Sequence, residues 1–299
     1  MLKFKRLELE DKEIFDKYIY PYRFSSSEYS FSNLYIWRKE MNTEYAIYKS
    51  CLIIKKIDIE GKGYFMEPLG YTNENLKDIV DVLIDYKDHH KVKYLFKEIE
   101  KDFIEKLKNI YGDRENIFIE KDRDKFDYLY ESKKLIDLSG KKLRKKKNHY
   151  NYFIKHYDYK VKDFNEKNVI DDVIKSAEKW YDRKEEHKKE LLSELDGIKD
   201  ACRNMDKLNL KGIALYVNGE IIGFTIGETM SEKLAIIHIE KADPEIRGSY
   251  NFINRTFIEN YFKDVDIINR EEDLGIQGLR KAKLSYDPID LEEKYEVIV

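Results

Sequence analysis

The segment NREEDLGIQGLRKAKLSYDP (269–288) is the densest concentration of chemically capable residues in the sequence. Asp273 is placed to cap a helix, Gly275 and Gly278 allow tight backbone geometry beside it, and Arg280, Lys281 and Lys283 follow within about one turn. Free N–H groups at a helix start, joined by a guanidinium, make a pocket for an oxyanion or a phosphate. The same spacing also describes a capped amphipathic helix with solvated charges, and spacing alone leaves both readings open.

A second stretch, GKKLRKKKNHYNYF (140–153), sets Lys141, Lys142, Arg144, Lys145, Lys146 and Lys147 side by side in a chain whose formal net charge is −3. Leu143, Tyr150, Phe153, Ile154 and Tyr157 recur near spacings of three, four and seven, which predicts an amphipathic helix that docks one face and presents cations on the other. The cations suit a solvated face, a handle for a polyanion, or part of a catalytic site. We read them as a polyanion handle. The phosphates of tRNA are the expected partner and an anionic membrane surface is the rival one. His149 and Tyr152 follow where they could stack on bases, while Tyr150 is placed to pack.

Other chemistries lack support. There is no GxSxG elbow, no Walker loop and no GxGxxG. His89 and His90 are adjacent and would diverge by about 100° on a helix. His149, His156, His187 and His238 have no Cys or carboxylate at ligand spacing, so no metal site is expected. Cys51 and Cys202 are isolated, which fits a reducing compartment. The opening MLKFKRLELEDKE alternates charged and apolar residues, and the most apolar run, 212–227, is too short to span a bilayer. These features predict a cytoplasmic protein with no transmembrane segment.

The elements that must position these residues are mixed. Strand-like runs fall at 45–49, 51–59, 63–69, 91–96 and 116–120, with helical stripes over 73–90 and after Glu100. The second half has a helix after Asn168, a charged turn over 182–190, and a further helix through Cys202. Asn218-Gly219 then marks a hairpin. A strand over 233–243, a helix over 249–262, a strand over 265–271 and a last helix near 279–284 complete the chain. Hairpin, strand, helix, strand, helix is the order of the acyl-donor half of the acetyltransferase-like (GNAT) fold. The first half matches it more loosely. We therefore expect an α+β (mixed α/β) protein of two GNAT-like lobes, 1–138 and 161–299, joined by a basic amphipathic helix over 139–160. GNAT enzymes grip the CoA pyrophosphate with Gln/Arg-x-x-Gly-x-Gly/Ala at a helix start. With Arg247 in first position, Tyr250 and Phe252 replace the small residues, which points away from CoA as the donor.

The basic stretch, the EKAD segment (240–243) and above all NREEDLGIQGLRKAKLSYDP resemble a bacterial family of unknown function related to the C-terminal domain of phosphatidylglycerol lysyltransferases. The resemblance spans nearly the whole chain. It implies a tandem GNAT fold and kinship to enzymes that move an aminoacyl group from aminoacyl-tRNA to a lipid or peptide acceptor. The matching positions are Lys141 to Asn148, Glu240, Asn269, Arg270, Asp273, Gly275, Gly278, Arg280 and Lys283. The expected function is transfer from aminoacyl-tRNA to an amine or hydroxyl. Arg280 and the backbone of Gly275–Gly278 would hold the oxyanion or a phosphate, and Glu240 or Asp273 would orient or deprotonate the acceptor. Lys141, Lys142, Arg144, Lys145, Lys146, Lys147 and Asn148 would carry the nucleic acid, with Asn269, Arg270 and Lys283 at the substrate. The alternatives are an acyl-CoA-dependent N-acyltransferase and a non-catalytic polyanion-binding protein of the same fold.

Overall fold

The computed structural model describes residues 2–58, 60–90, 92–112, 117–182 and 188–299. Part of the charged turn expected over 182–190, His187 included, lies outside these residues, as does the start of the strand expected at 116. The described strands form two seven-stranded sheets, each in its own compact unit.

The first unit comprises Met1–Phe126 and Glu292–Val299. Its strands are β1 (Lys5–Arg6), β2 (Glu44–Tyr48), β3 (Cys51–Ile57), β4 (Gly63–Phe65), β5 (Phe96–Ile99) and β6 (Phe118–Lys121), and the C-terminal strand Tyr295–Ile298 enters between β5 and β6. Its helices are α1 (Lys12–Ile19), α2 (Phe31–Ile36), α3 (Leu76–His90) and α4 (Lys101–Tyr111). Leu76, Ile79, Val80 and Leu83 form the buried stripe of α3, one face of a 3.6-residue repeat. That helix carries the chain from β4 to a parallel β5, the two meeting at Phe65 and Phe96.

The second unit, Asp127–Leu291, holds β7 (Asp127–Glu131), α5 (Ser132–Asp137), α6 (Arg144–His156), β8 (Tyr159–Asp163), α7 (Val169–Asp182), α8 (Lys188–Arg203) and α9 (Met205–Leu208). There follow β9 (Lys211–Val217), β10 (Glu220–Ser231), β11 (Leu234–Ala242), α10 (Ser249–Tyr261), β12 (Ile267–Asn269), α11 (Gln277–Leu284) and β13 (Asp290–Glu292). Asn218 and Gly219 both take positive φ, 52° and 84°, giving the primed turn that joins β9 to β10. The sheet order is β13-β7-β12-β11-β10-β9-β8, with α10 crossing from β11 to a parallel β12.

The division differs from the expected one. Residues 127–138 belong to the second unit because β7 pairs with β12, Leu129 opposite Asn269. The final residues return to the first unit through pairing with β5 and β6. The basic helix α6 does not join two lobes: it belongs to the second unit, where Tyr150 and Phe153 stack on Phe252 of α10 at 5.6 and 4.7 Å. Of its expected docking stripe, Leu143 and Phe153 are buried, whereas Ile154, one position past that face, is exposed.

The start of α10 is closely covered. Gly248 has φ 91°, and a Cβ there would come within 2.3 Å of the His149 carbonyl oxygen on α6. With Phe252 buried beneath, α6 packs directly against this end of α10.

Candidate functional site

Parallel pairing of β11 with β12 lasts only from Leu234–Ile267 to Ile236–Asn269. Beyond it the gap is bridged by charge. Arg270 donates through Nη2 to Glu240 Oε1 at 2.8 Å, and Asn254 of α10 donates through Nδ2 to Glu240 Oε2 at 2.6 Å. Thr225 lies opposite Glu240 in the β10–β11 register. Three buried polar atoms around this carboxylate have no hydrogen-bond partner among the described residues: Arg270 Nη1, Asn254 Oδ1 and Thr225 Oγ1. Orphaned buried groups are rare because each costs about 1–3 kcal/mol. Their concentration at Glu240 marks a place where polarity exceeds what the fold itself uses.

The Arg270 guanidinium lies 4.7 Å from the ring centre of Tyr286 and 5.5 Å from that of Tyr130. Lys146 Nζ sits 4.0 Å from the Tyr286 ring centre. Burial, then the Arg270 and Lys145 charges, push the Lys146 ammonium down to about 8 against the opposing pull of Glu240. Lys146 is therefore the one member of the basic run drawn into the site. Lys141, Lys142, Arg144, Lys145, Lys147 and Asn148 are exposed, with Lys142 paired to Asp287 at 2.6 Å.

The 269–283 segment folds into a clasp beside this pair. Asp273 does not cap α11, whose N-cap is Ile276. Its buried carboxylate instead receives the Tyr128 hydroxyl at 2.5 Å, the Gly275 N–H at 2.9 Å, and Arg280 through Nε and Nη2 at 2.8 and 2.7 Å. Burial pushes Asp273 up, but these donors outweigh it and hold the carboxyl near 2. Lys283 donates to the carbonyls of Arg270, Glu271 and Glu272. Asn269 donates to Asp127 at 2.9 Å and accepts the Glu271 N–H at 2.7 Å. Gly275 needs its positive φ of 72°, while a Cβ at Gly278 would meet nothing within 4 Å. Arg280 and Asp273, expected at the reacting atoms, are thus committed to one another, and the clasp sets the loop that carries Arg270.

One residue set aside in the sequence has carboxylates on both sides. His238 Nδ1 lies 2.9 Å from Glu271 Oε1 and Nε2 lies 3.0 Å from Glu228 Oε1, with the imidazole side chain almost fully buried. A carboxylate on each ring nitrogen favours the doubly protonated imidazolium, which can donate to both. Burial opposes that charge, but the hydrogen bonds to Glu228 and Glu271 hold the ring up at about 9.

The model of the phosphatidylglycerol lysyltransferase C-terminal family matches residues 21–298. The chain belongs to that family. A crystal structure of a conserved protein of unknown function from Bacteroides thetaiotaomicron is 32% identical, each chain covering all of the other, with a TM-score of 0.89. The C-terminal domain of a putative lysylphosphatidylglycerol synthetase from Agrobacterium fabrum is 14% identical over 97% of this chain and 91% of its own, TM-score 0.66. A tandem GNAT protein from the clavulanic acid biosynthesis pathway matches 99% of this chain and 97% of its own at 8% identity, TM-score 0.52. These likenesses establish a mixed α/β, tandem GNAT-like fold. An uncharacterised protein of Mycoplasmoides gallisepticum is 33% identical over 58% of this chain, which spans 56% of that relative's length. No helix among the described residues is long and apolar enough to cross a membrane.

The sequence offers Glu240 and Arg270 as separate candidates, which the structure joins by a hydrogen bond, and gives no direct sign of Asn254, Thr225, Tyr130, Tyr286 or the His238 triad. Glu228 and His238 become neighbours through a hairpin in which Glu228 faces Ile236, with an irregularity between the Ile226–Ile239 and Gly227–Ile237 pairs. Counting register back from the tight turn after Ser231 was the available signal. A shallow depression lined by Met205, Asp206, Asn209, Leu210, Lys211 and Thr229 shares no residue with the site.

Proposed function

We propose that this chain is an aminoacyltransferase that takes an aminoacyl group from aminoacyl-tRNA and passes it to an amine or hydroxyl acceptor. The observation carrying this reading is Arg270: a buried guanidinium held by Glu240 on one edge, with Nη1 unpartnered on the other, beside the half-buried Lys146. Nη1 is suited to the carbonyl oxygen of the ester as it becomes an oxyanion, where preorganised charge in a dry site contributes most. The acceptor's lone pair forms the new bond to the carbonyl carbon, the bond to the ribose oxygen breaks, and the acceptor's proton passes to that leaving oxygen. Glu240, fixed by Arg270 and Asn254, is suited to carrying that proton between them. Holding both reactants supplies much of the acceleration and needs no covalent enzyme intermediate. The exposed cations of the 141–147 run would carry the tRNA backbone, with Lys146 at the inner end. An acyl-CoA donor is less well served, since α6 covers the start of α10.

The test is binding of bulk charged and uncharged tRNA across a salt series, to wild type and to Arg270→Met, followed by transfer of a radiolabelled amino acid to a panel of amines and lipids. Preference for charged tRNA that disappears in Arg270→Met supports the reading. Equal, weak binding of both tRNAs, unaffected by the substitution, would sink it.

A further inference from the structure

The chain changes course at the residue after Arg270. Glu271 has φ 55°, a left-handed conformation that costs a non-glycine residue on the order of 1 kcal/mol and persists only where its surroundings hold it. Four contacts do so. The Glu271 N–H donates to Asn269 Oδ1, its carbonyl accepts from the Tyr128 N–H at 3.2 Å and from Lys283 Nζ at 3.0 Å, and its carboxylate is held by His238. His238 in turn is anchored by Glu228 on β10. We propose that His238, as an imidazolium, is a positioning residue that clamps Glu271 in its left-handed conformation and thereby aims Arg270 into the Glu240 site.

The first unit repeats the arrangement with a lysine in place of the histidine. Its parallel strands meet at Phe96, and Glu98, two residues on, has φ 60° and a buried carboxylate held by Lys56 at 2.8 Å. Glu271 stands two residues after Asn269, the last residue of β12 paired to β11. Two independent occurrences of a kinked glutamate with a buried cation on its carboxylate make the cation part of the kink. Of the two cations the histidine loses its proton at the lower pH, since Lys56 is held above its ordinary value.

The groups facing this clamp are Glu228 from β10, Glu271 itself, Glu272 and Asp127 from the clasp and β7, and Lys283 from α11. Burial holds Glu271 above the ordinary carboxylate range, opposed by His238 and reinforced by Glu272 and Asp127. For His238 the folded value, about 9, lies above the ordinary 6.5. The pair needs a charged His238 and an ionised Glu271, so its hold is lost as pH rises through 9 and also as pH falls through about 7.

The inference rests on the proposed reading only in giving Arg270 a substrate, so the experiment follows Arg270 directly. In the full chain carrying 15N,13C-arginine, the Arg270 guanidinium signal, assigned by its loss in Arg270→Lys, is followed from pH 6 to 10 alongside binding of bulk charged tRNA. The signal is expected to move with the His238 titration in wild type and to lose that movement in His238→Gln, with charged-tRNA binding weakened on the order of tenfold. Adding Glu271→Gly, which takes the left-handed conformation without a clamp, is expected to restore the signal and most of the binding. An Arg270 signal indifferent to pH in wild type overturns the proposal even if His238→Gln does not fold, as does failure of Glu271→Gly to rescue a folded His238→Gln. An Arg270 signal that follows His238 while no tRNA binds supports the clamp and removes the aminoacyl-tRNA reading.

Discussion

The two units place the same charges at the same point of the same topology and use them differently. FKEIE (96–100) follows the parallel contact in the first unit as NREED (269–273) does in the second: a cation, a kinked glutamate, and an acid before a helix. In the first unit every one of these charges is answered. Lys97 pairs with Glu296 at 2.9 Å, and Lys56 binds both Glu98 and Glu28. Lys294 reaches Glu28 at 3.2 Å, Tyr64 donates to Glu98, and Glu100 accepts the N–H groups of Ser25 and Ser26. Burial alone would push Glu28 up, but Lys56 and Lys294 hold it far below its ordinary value. In the second unit Arg270 keeps an orphaned nitrogen, Asn254 and Thr225 keep orphaned oxygens, and the clamp is a histidine. The same arrangement is a closed ionic core in one unit and a buried polar site with unpartnered atoms in the other.

The sharpest way to break that comparison is to remove the matching cation from each unit. Arg270→Met should reduce transfer at least about a hundredfold, because it deletes the donor aimed at the developing oxyanion, while Lys97→Met leaves transfer unchanged. Single-turnover rates with charged tRNA measure both. Lost transfer in Lys97→Met would place function in the first unit as well.

Stability should run the other way. Lys56→Met strands two buried carboxylates, only one of which retains a lysine, and is expected to cost about 3–5 kcal/mol in urea denaturation. Arg280→Ala strands Asp273, although the Tyr128 hydroxyl and Gly275 N–H remain and Arg280 is one-third exposed, so about 2 kcal/mol is expected. Asp273 sits near 2, below its ordinary 3.8, so this contribution is present above 3.8 and lost as pH falls through 2. A neutral Arg280→Ala with transfer abolished would return Arg280 to the reacting atoms, where the sequence had suggested it.

Much of this framework was legible because it is local. The Asn218-Gly219 hairpin, the stripe of α3 and the strand–helix–strand order of the second unit all follow from spacing within a few residues. The division of the chain was not, because β7 and the C-terminal strand each join the unit that the other's neighbours would suggest, and a strand moved between sheets leaves no linker behind. The tail motif is visible in the sequence as a dense cluster, but its internal pairing is not: Tyr128, 145 residues away along the chain, decides that Asp273 is a clasp. His238 was dismissed for the same reason, its partners lying 10 and 33 residues off along the chain.

The smallest expected effect separates Lys146 from His238 in the second unit. Lys146 sits at about 8, below its ordinary 10.5, so its charged form costs the fold stability below 8 and that cost is gone above 10.5. A bound phosphate would supply the missing counter-charge, so binding takes up a proton and affinity falls as pH climbs through 8. Because Lys146 is only partly buried, solvent screening limits the change between pH 7 and 9 to about three- to tenfold in Kd. Lys146→Arg, which keeps the charge throughout, should flatten this lower step and leave the His238 step near 9 in place, whereas His238→Gln should do the reverse. Lys145→Ala, by contrast, should keep both steps and only reduce the salt dependence, by a log–log slope of about 0.7–0.9 for one lost phosphate contact. If Lys146→Arg leaves the lower step intact, Lys146 is not at the phosphate, and the polyanion track stops at the exposed face of α6 without reaching Arg270.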